Sequence, residues 1–157
     1  MLTETNPAAG RPRVTVAALV EREGRFLFVE EQDDRGQVVI NQPAGHVEAG
    51  ESLIEAMVRE TFEETGWQVL PQALVGTYLW GPPDRRLTYL RVALAAMAEG
   101  HNEKATLDEG ILRPIWLSRD ELFACRDRHR SELVLSCVDD YLSGERYPLT
   151  VLKSLLS

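Results

Sequence analysis

Long apolar runs, metal-spaced cysteines and an excess of basic charge are all missing from this chain of 157 residues. No stretch approaches the roughly 20 apolar residues that a bilayer-spanning helix requires. The first five residues lack a basic start followed by an apolar block, so no secretory signal is expected and a cytoplasmic location is. Cys125 and Cys137 have no second Cys or His at metal-ligand spacing and are expected as reduced, largely buried thiols. The formal net charge of −8 repels nucleic-acid backbones and anionic lipid, so neither a polynucleotide nor a membrane is an expected partner. No loop alternates acidic residues in the manner of an EF-hand, which argues against a calcium-binding acidic protein. Internal repeats, low-complexity tracts and interdomain linkers are absent as well.

What is present suits one compact domain. The hydrophobic share is 44% and the charged share 27%, both ordinary for a globular chain of this size. Residues 1–12 carry no periodic pattern and are expected to form a flexible tail, with a single domain over 13–157. β-Branched and small apolar residues predict strands over 14–20 and 25–30, joined by a hairpin turn, and a short strand over 38–40. An irregular approach then leads through 41–45. Ser52 with Glu55 three residues on forms a capping box that opens a helix over 52–65, and Gly66 stops it. Strands are expected near 69–79, 87–98 and 111–117, the first delayed or interrupted by Pro71. A second capping box, Ser118 with Glu121, opens a short helix to about residue 125, and a longer amphipathic helix follows over 131–142. Strands and helices mix without regular alternation, which predicts an α/β (α+β) fold with a mixed sheet between helices.

The helix over 52–65 carries Arg59, Glu60, Glu63 and Glu64. At about 100° per residue the three Glu side chains span roughly 100° of arc. Ile54, Val58, Thr61 and Thr65 occupy another arc, so the helix is expected to divide into a packing face and a carboxylate face. Three carboxylates so spaced repel one another, and a hard divalent cation reverses that cost by accepting their oxygens. A solvated acidic face is the alternative reading of such a pattern. For an anionic phosphorylated substrate, a bound cation here also supplies the local neutralisation that a chain of net charge −8 otherwise lacks.

The flanking residues choose between these readings. Gly45, five residues, Glu51, seven residues, then Arg59-Glu60-Thr61-Phe62-Glu63-Glu64-Thr65-Gly66-Trp67 resembles the Nudix box. Every charged and glycine position of the pattern is present, while Thr61 and Trp67 stand where the family carries aliphatic residues. Further stretches, including 14–18, 41–46, 89–91 and 144–149, are similar to the NudJ-type Nudix hydrolases. The resemblance implies a Nudix-type α/β/α sandwich. It also implies a Mg2+-dependent enzyme, with Mn2+ a possible substitute, that hydrolyses a diphosphate linkage in a small phosphorylated metabolite. In the NudJ-type branch these are nucleoside di- and triphosphates or thiamine-pathway pyrophosphates. An oxidised nucleotide, a dinucleoside polyphosphate or a catalytically silent binding module on the same fold are the alternatives. A monomer is implied, although an edge strand is open to pairing as a dimer.

The resemblance implies that Glu60, Glu63 and Glu64 bind the metal together with the Gly45 carbonyl, while Glu51 and Arg59 hold these ligands in place. The general base is then Glu64 itself or a loop acid outside the box, Asp108 or Glu109, for which a solvated loop pair is the competing reading. His46 either touches substrate phosphate or bonds locally to backbone. Trp80 and Tyr89 are candidates to stack on a heterocycle, with core packing as the alternative. Arg91, lying in a strand, is the best candidate to neutralise substrate charge, because a buried Arg needs an anionic partner.

Overall fold

A computed structural model describes residues 10–84 and 86–156 of the chain. The expected tail falls largely outside that range. In chain order the strands and helices are β1 (Arg13–Arg22), β2 (Arg25–Gln32), β3 (Val38–Asn41), β4 (Ala44–His46), α1 (Leu53–Thr65), β5 (Trp67–Trp80), β6 (Tyr89–His101), β7 (Ile111–Ser118), α2 (Arg119–Ala124) and α3 (Leu133–Leu142). The mixed sheet has β1 and β6 parallel and its other pairs antiparallel, in the order β3-β2-β1-β6-β5, with β4 added to β1 and β7 to β2.

Helices cover both faces, as expected, and they divide the core in two. Ala56 and Met57 of α1 pack with Val16, Ala18, Val20 and Leu94 on one face. Leu122 of α2 and Val134, Cys137 and Val138 of α3 pack with Leu19, Phe26, Phe28 and Ala93 on the other. Val16 through Val20 are therefore all buried, because alternate residues of β1 enter different halves of the core.

The sheet is not continuous along its length. β1 and β2 pair only at their hairpin end, Glu21 with Phe26 and Arg22 with Arg25. Beyond it the two strands separate: β1 takes β4 as its neighbour over Thr15–Ala17, and β2 takes β3 and β7. Two half-sheets thus splay from a shared hinge, and the wedge between them opens beside β4.

Several local expectations are refined. The approach to the acidic helix contains the short strand β4, whose pairing with β1 supplies order that a three-residue segment has no way to signal alone. Pro71 does not interrupt its strand. β5 runs through it, with register shifts at Gln68/Val69, Pro71/Ala73 and Leu74/Gly76 that absorb the missing donor. α1 does not divide cleanly either. Its buried side comprises Ala56, Met57, Thr61, Thr65 and also Glu64, while Ile54 and Val58 are only partly covered. Glu64 lies at the edge of the packing arc, and the wedge between the half-sheets receives it.

Both capping boxes form as expected, at Ser52 with Glu55 and at Ser118 with Glu121. α3 begins at Leu133, with Glu132 as an N-cap whose side chain makes no capping bond. Gly66 ends α1 at φ 74°, and a Cβ there would come within 2.7 Å of the Asn102 carbonyl oxygen. Gly66→Ala is therefore expected to lower unfolding free energy by roughly 1–3 kcal/mol through backbone strain and this contact. Denaturant titration measures the loss; unchanged stability would show that the left-handed cap is not required.

Candidate active site

Four backbone-linked facts bring the site together. β4 runs beside β1, α1 follows it after a short loop, the Asp108 N–H donates to the Glu63 carbonyl at 3.0 Å, and the half-sheets part at this level. At the centre sits Arg59. Its Nε and Nη2 donate to the two oxygens of Glu51 at 2.9 and 2.6 Å, and Nη1 donates to Glu60 at 2.9 Å and Glu63 at 3.0 Å. Nη2 also donates to the His46 carbonyl at 3.1 Å. The bond to Glu51 is the main reason the guanidinium holds its proton even more tightly than usual. The same contact lowers the Glu51 carboxyl.

Glu60, Glu63 and Asp108 present carboxylate oxygens that all lie within 4.8 Å of one another. Such a group of oxygens is what a hard divalent cation requires. Burial raises the Glu60 carboxyl, against the opposing bond from Arg59. Gly45 contributes by lacking a side chain: a Cβ would lie 2.1 Å from the Glu60 carboxyl carbon. The residues present therefore fit a metal on two counts, oxygen donors that converge and a backbone cradle open beside them.

Glu64 stands apart from that trio. It is 7% exposed and accepts the Ala44 N–H at 2.9 Å. Burial pushes its carboxyl up to about 9, the Ala44 bond opposes this, and the charges of Glu31, Glu60 and Asp108 add to the rise. Asp108 joins the acid cluster and Glu109, also exposed, does not, although adjacent sequence gave the two equal standing.

Beyond β4 the wedge becomes a cleft of about 410 Å³. Trp80, Arg91, His46 and Tyr89 all line it, so the four candidate substrate residues share one cavity. Trp80 and Tyr89 form an aromatic wall with ring centroids 6.0 Å apart, and His46 lies 6.4 Å from Tyr89. The Trp80 indole N–H donates to Glu132 at 3.1 Å, which ties this wall to the start of α3. Partial desolvation, then the Arg13 charge, holds His46 below its usual range, so at neutral pH it offers a hydrogen bond rather than a charge.

Sequence reasoning missed Glu31, Asn41, Arg130 and Ser131 among the lining residues. Arg130 donates to Glu31 at 2.9 Å, and the Asn41 amide donates to the same Glu31 oxygen at 3.3 Å. Asn41 pairs in register with Val29 and Glu31 with Val39, so the two meet diagonally across β2 and β3, and no local pattern marks such partners. Arg91, 6% exposed, finds no carboxylate among the described residues, contrary to what burial of an Arg demanded. It donates instead to the amide oxygens of Gln42 at 3.0 Å and Asn41 at 3.1 Å.

A profile described as the NUDIX domain matches residues 10–135. The phosphatase NudJ of Escherichia coli K12 is 40% identical over 142 residues, covering 90% of this chain and 91% of the relative. A NUDIX hydrolase structure from Nitrosomonas europaea is 43% identical, with TM-score 0.89, and the match covers 92% of this chain and 97% of that one. A MutT NUDIX hydrolase from Burkholderia pseudomallei, 18% identical with TM-score 0.70 over 83% of this chain and 98% of that one, shares the fold.

Two outcomes are expected of this site. A Cβ on Gly45 displaces Glu60, so Gly45→Ala should weaken Mg2+ or Mn2+ binding, read by calorimetry, by roughly 10- to 100-fold; undiminished affinity would separate Glu60 from the cation. The second concerns pH. Glu64 titrates near 4.5 in the unfolded chain and about 9 when folded without a cation. Its protonated form then favours folding fully below pH 4.5, and that contribution is lost as pH rises towards 9. With divalent ions chelated, the melting temperature of the parent should fall more steeply across this window than that of Glu64→Gln. Parallel slopes would place Glu64 in a more solvated setting.

Proposed function

The chain belongs to the Nudix hydrolase family, and from that premise we propose that it hydrolyses a diphosphate linkage in a small phosphorylated metabolite with the aid of Mg2+. The observation that carries this reading is the convergence of Glu60, Glu63 and Asp108, with Glu60 against Gly45, a residue that lines the same cleft as Trp80, Tyr89 and Arg91. Nucleoside di- and triphosphates and thiamine-pathway pyrophosphates are the proposed substrates, in keeping with the likeness to a phosphatase named NudJ. The cleft volume, near the lower end of small-molecule sites, favours one mononucleotide-sized ligand over a dinucleoside polyphosphate.

Glu60, Glu63 and Glu64, with the Gly45 carbonyl, would hold the cation, and Mn2+ suits the same oxygens. When bound, such an ion neutralises phosphate oxygens and lowers the pKa of water. Arg59 keeps Glu60 and Glu63 from recoiling from each other, and Glu51 fixes the guanidinium by a two-point grip. Asp108, exposed beside Glu60 and Glu63, takes the role of the loop acid in receiving a proton from the attacking water; Glu109 is not assigned a part. Trp80 and Tyr89 stack against the leaving group, and His46 donates a hydrogen bond to it or to phosphate.

Phosphate and pyrophosphate release from a panel of nucleoside di- and triphosphates, thiamine diphosphate and ring-free polyphosphates tests the proposal. Turnover should require Mg2+, and Glu63→Gln should lower kcat by about 100-fold or more on every accepted substrate, the scale of losing a catalytic charge in a preorganised site. If that variant matches the parent, the acid cluster is not the reaction centre. Ligand binding without turnover of any substrate would mark a silent binding module.

A further inference from the structure

Arg91 belongs to the α3 side of the sheet. It pairs with Thr15 on β1 and Tyr78 on β5, and Thr15 pairs in turn with His46 on β4. Directly paired residues share a face, and so do residues two apart. Arg91, Tyr89, Trp80 and His46 therefore line one floor. The missing Gly45 side chain points the other way, towards Glu60 and α1. The acid cluster and Arg91 thus lie on opposite sides of β4, and the aromatic wall is on Arg91's side.

A single network holds the guanidinium. Arg130 donates to Glu31, Asn41 donates to Glu31, Arg91 donates to Asn41 and to Gln42, and the Gln42 amide donates to the Val134 carbonyl at 2.7 Å. Both amides are locked with oxygen towards Arg91, because their nitrogens are committed elsewhere. The Glu31 charge is matched by Arg130, so the network retains one uncompensated cation, Arg91. Of the five N–H groups of a guanidinium, two are engaged by these amides and the side chain also approaches the Cys137 thiol, so at most three are free among the described residues. Nε is the buried side-chain nitrogen or oxygen without a hydrogen-bond partner among the described residues.

We infer that Arg91, held by Asn41 and Gln42, is a specificity determinant that donates to an acceptor edge (a ring nitrogen or carbonyl) of a heterocyclic leaving group stacked on Trp80 and Tyr89. The inference rests on the proposed diphosphate hydrolysis and names the residue that selects among its substrates. Phosphate is assigned to the acid side of β4, where a cation can neutralise it, and the ring to the side where a positive, donor-only floor meets aromatic surface. A ring without an acceptor leaves the free Arg91 donors desolvated and unpaired, which is a source of strong discrimination.

Pyridylmethyl diphosphates and benzyl diphosphate share a shape and differ by one ring nitrogen, so they test the idea directly. With the unmodified protein and Mg2+, at least one pyridyl isomer should exceed the benzyl compound in kcat/KM by about 10- to 100-fold, mostly through KM. Arg91→Met should erase that preference by bringing pyridyl kcat/KM down to the benzyl level, with cooperative thermal unfolding reporting an intact fold. Equal rates for the two compounds in the parent overturn the inference while leaving hydrolysis itself established. Equal losses on both compounds in a variant whose thermal unfolding stays cooperative show instead that Arg91 contacts phosphate, and this too overturns it. If Arg91→Met does not fold, the preference of the parent decides alone. If the parent hydrolyses neither compound nor any member of the broader panel, the proposed function falls and the inference with it.

Discussion

One guanidinium makes the acidic helix possible. Arg59 has five N–H groups, and each finds an oxygen: two on Glu51, one on Glu60, one on Glu63 and one on the His46 carbonyl. Without it, Glu60 and Glu63 would face each other and Asp108 across a few ångströms of partly buried space. Because the partners come from α1, from the loop before it and from β4, the same side chain that offsets the repulsion also fixes the angle between helix and strand. Electrostatic neutralisation and positioning are here one interaction, in which a planar fork outperforms a point charge. The donors are fully used, so Arg59 has nothing left to offer a substrate.

The splayed sheet determines what can be done with that acid cluster. A continuous sheet would bury β1 against β2 along its whole length and leave no space between the two halves of the core. Instead the hairpin end pairs and the other end parts, with β4 inserted as a short neighbour of β1. Glu64 and Glu31 enter the gap with little exposure. The raised Glu64 carboxyl is the electrostatic consequence: a negative group is held where water is scarce and other acids are close. Such a group suits a place where a cation is to be bound, since it strongly favours the state in which positive charge is present.

Much of this was readable in order along the chain because the box is local. The spacing from Gly45 to Trp67 specifies a glycine approach, a capped helix and an acidic face within one supersecondary unit, and Ser52, Glu55 and Gly66 mark its ends. The mixed sheet with helices on both faces was legible for a similar reason, as β-branched segments and capping boxes punctuate it. The burial of Glu64 was not, because a helical wheel locates directions without saying what lies in them, and the wedge is made by strands far away in sequence. Asp108 and Glu109 could not be separated either, since only the tie from the Asp108 N–H to the Glu63 carbonyl aims one of two adjacent loop acids. Asn41, Glu31 and Arg130 were invisible for a stronger reason. Their pairing depends on the β2–β3 hairpin and on the segment entering α3, and each alone is an ordinary polar residue.

The contrast between the two central arginines explains how a chain of net charge −8 can receive an anionic ligand at all. Long-range attraction is unavailable, so favourable charge must be local and shielded from the surrounding carboxylates. Arg59 is consumed by its four partners and leaves the α1 side acidic, ready for a cation. Arg91 is surrounded by amide oxygens, which hold it without cancelling its charge, and the nearby carboxylate of Glu31 is already occupied by Arg130. Substituting a carboxylate for Asn41 or Gln42 would satisfy the arginine better and abolish that reserve. An under-partnered buried cation is costly, and the side of β4 on which Arg91 lies keeps that cation apart from the acid cluster.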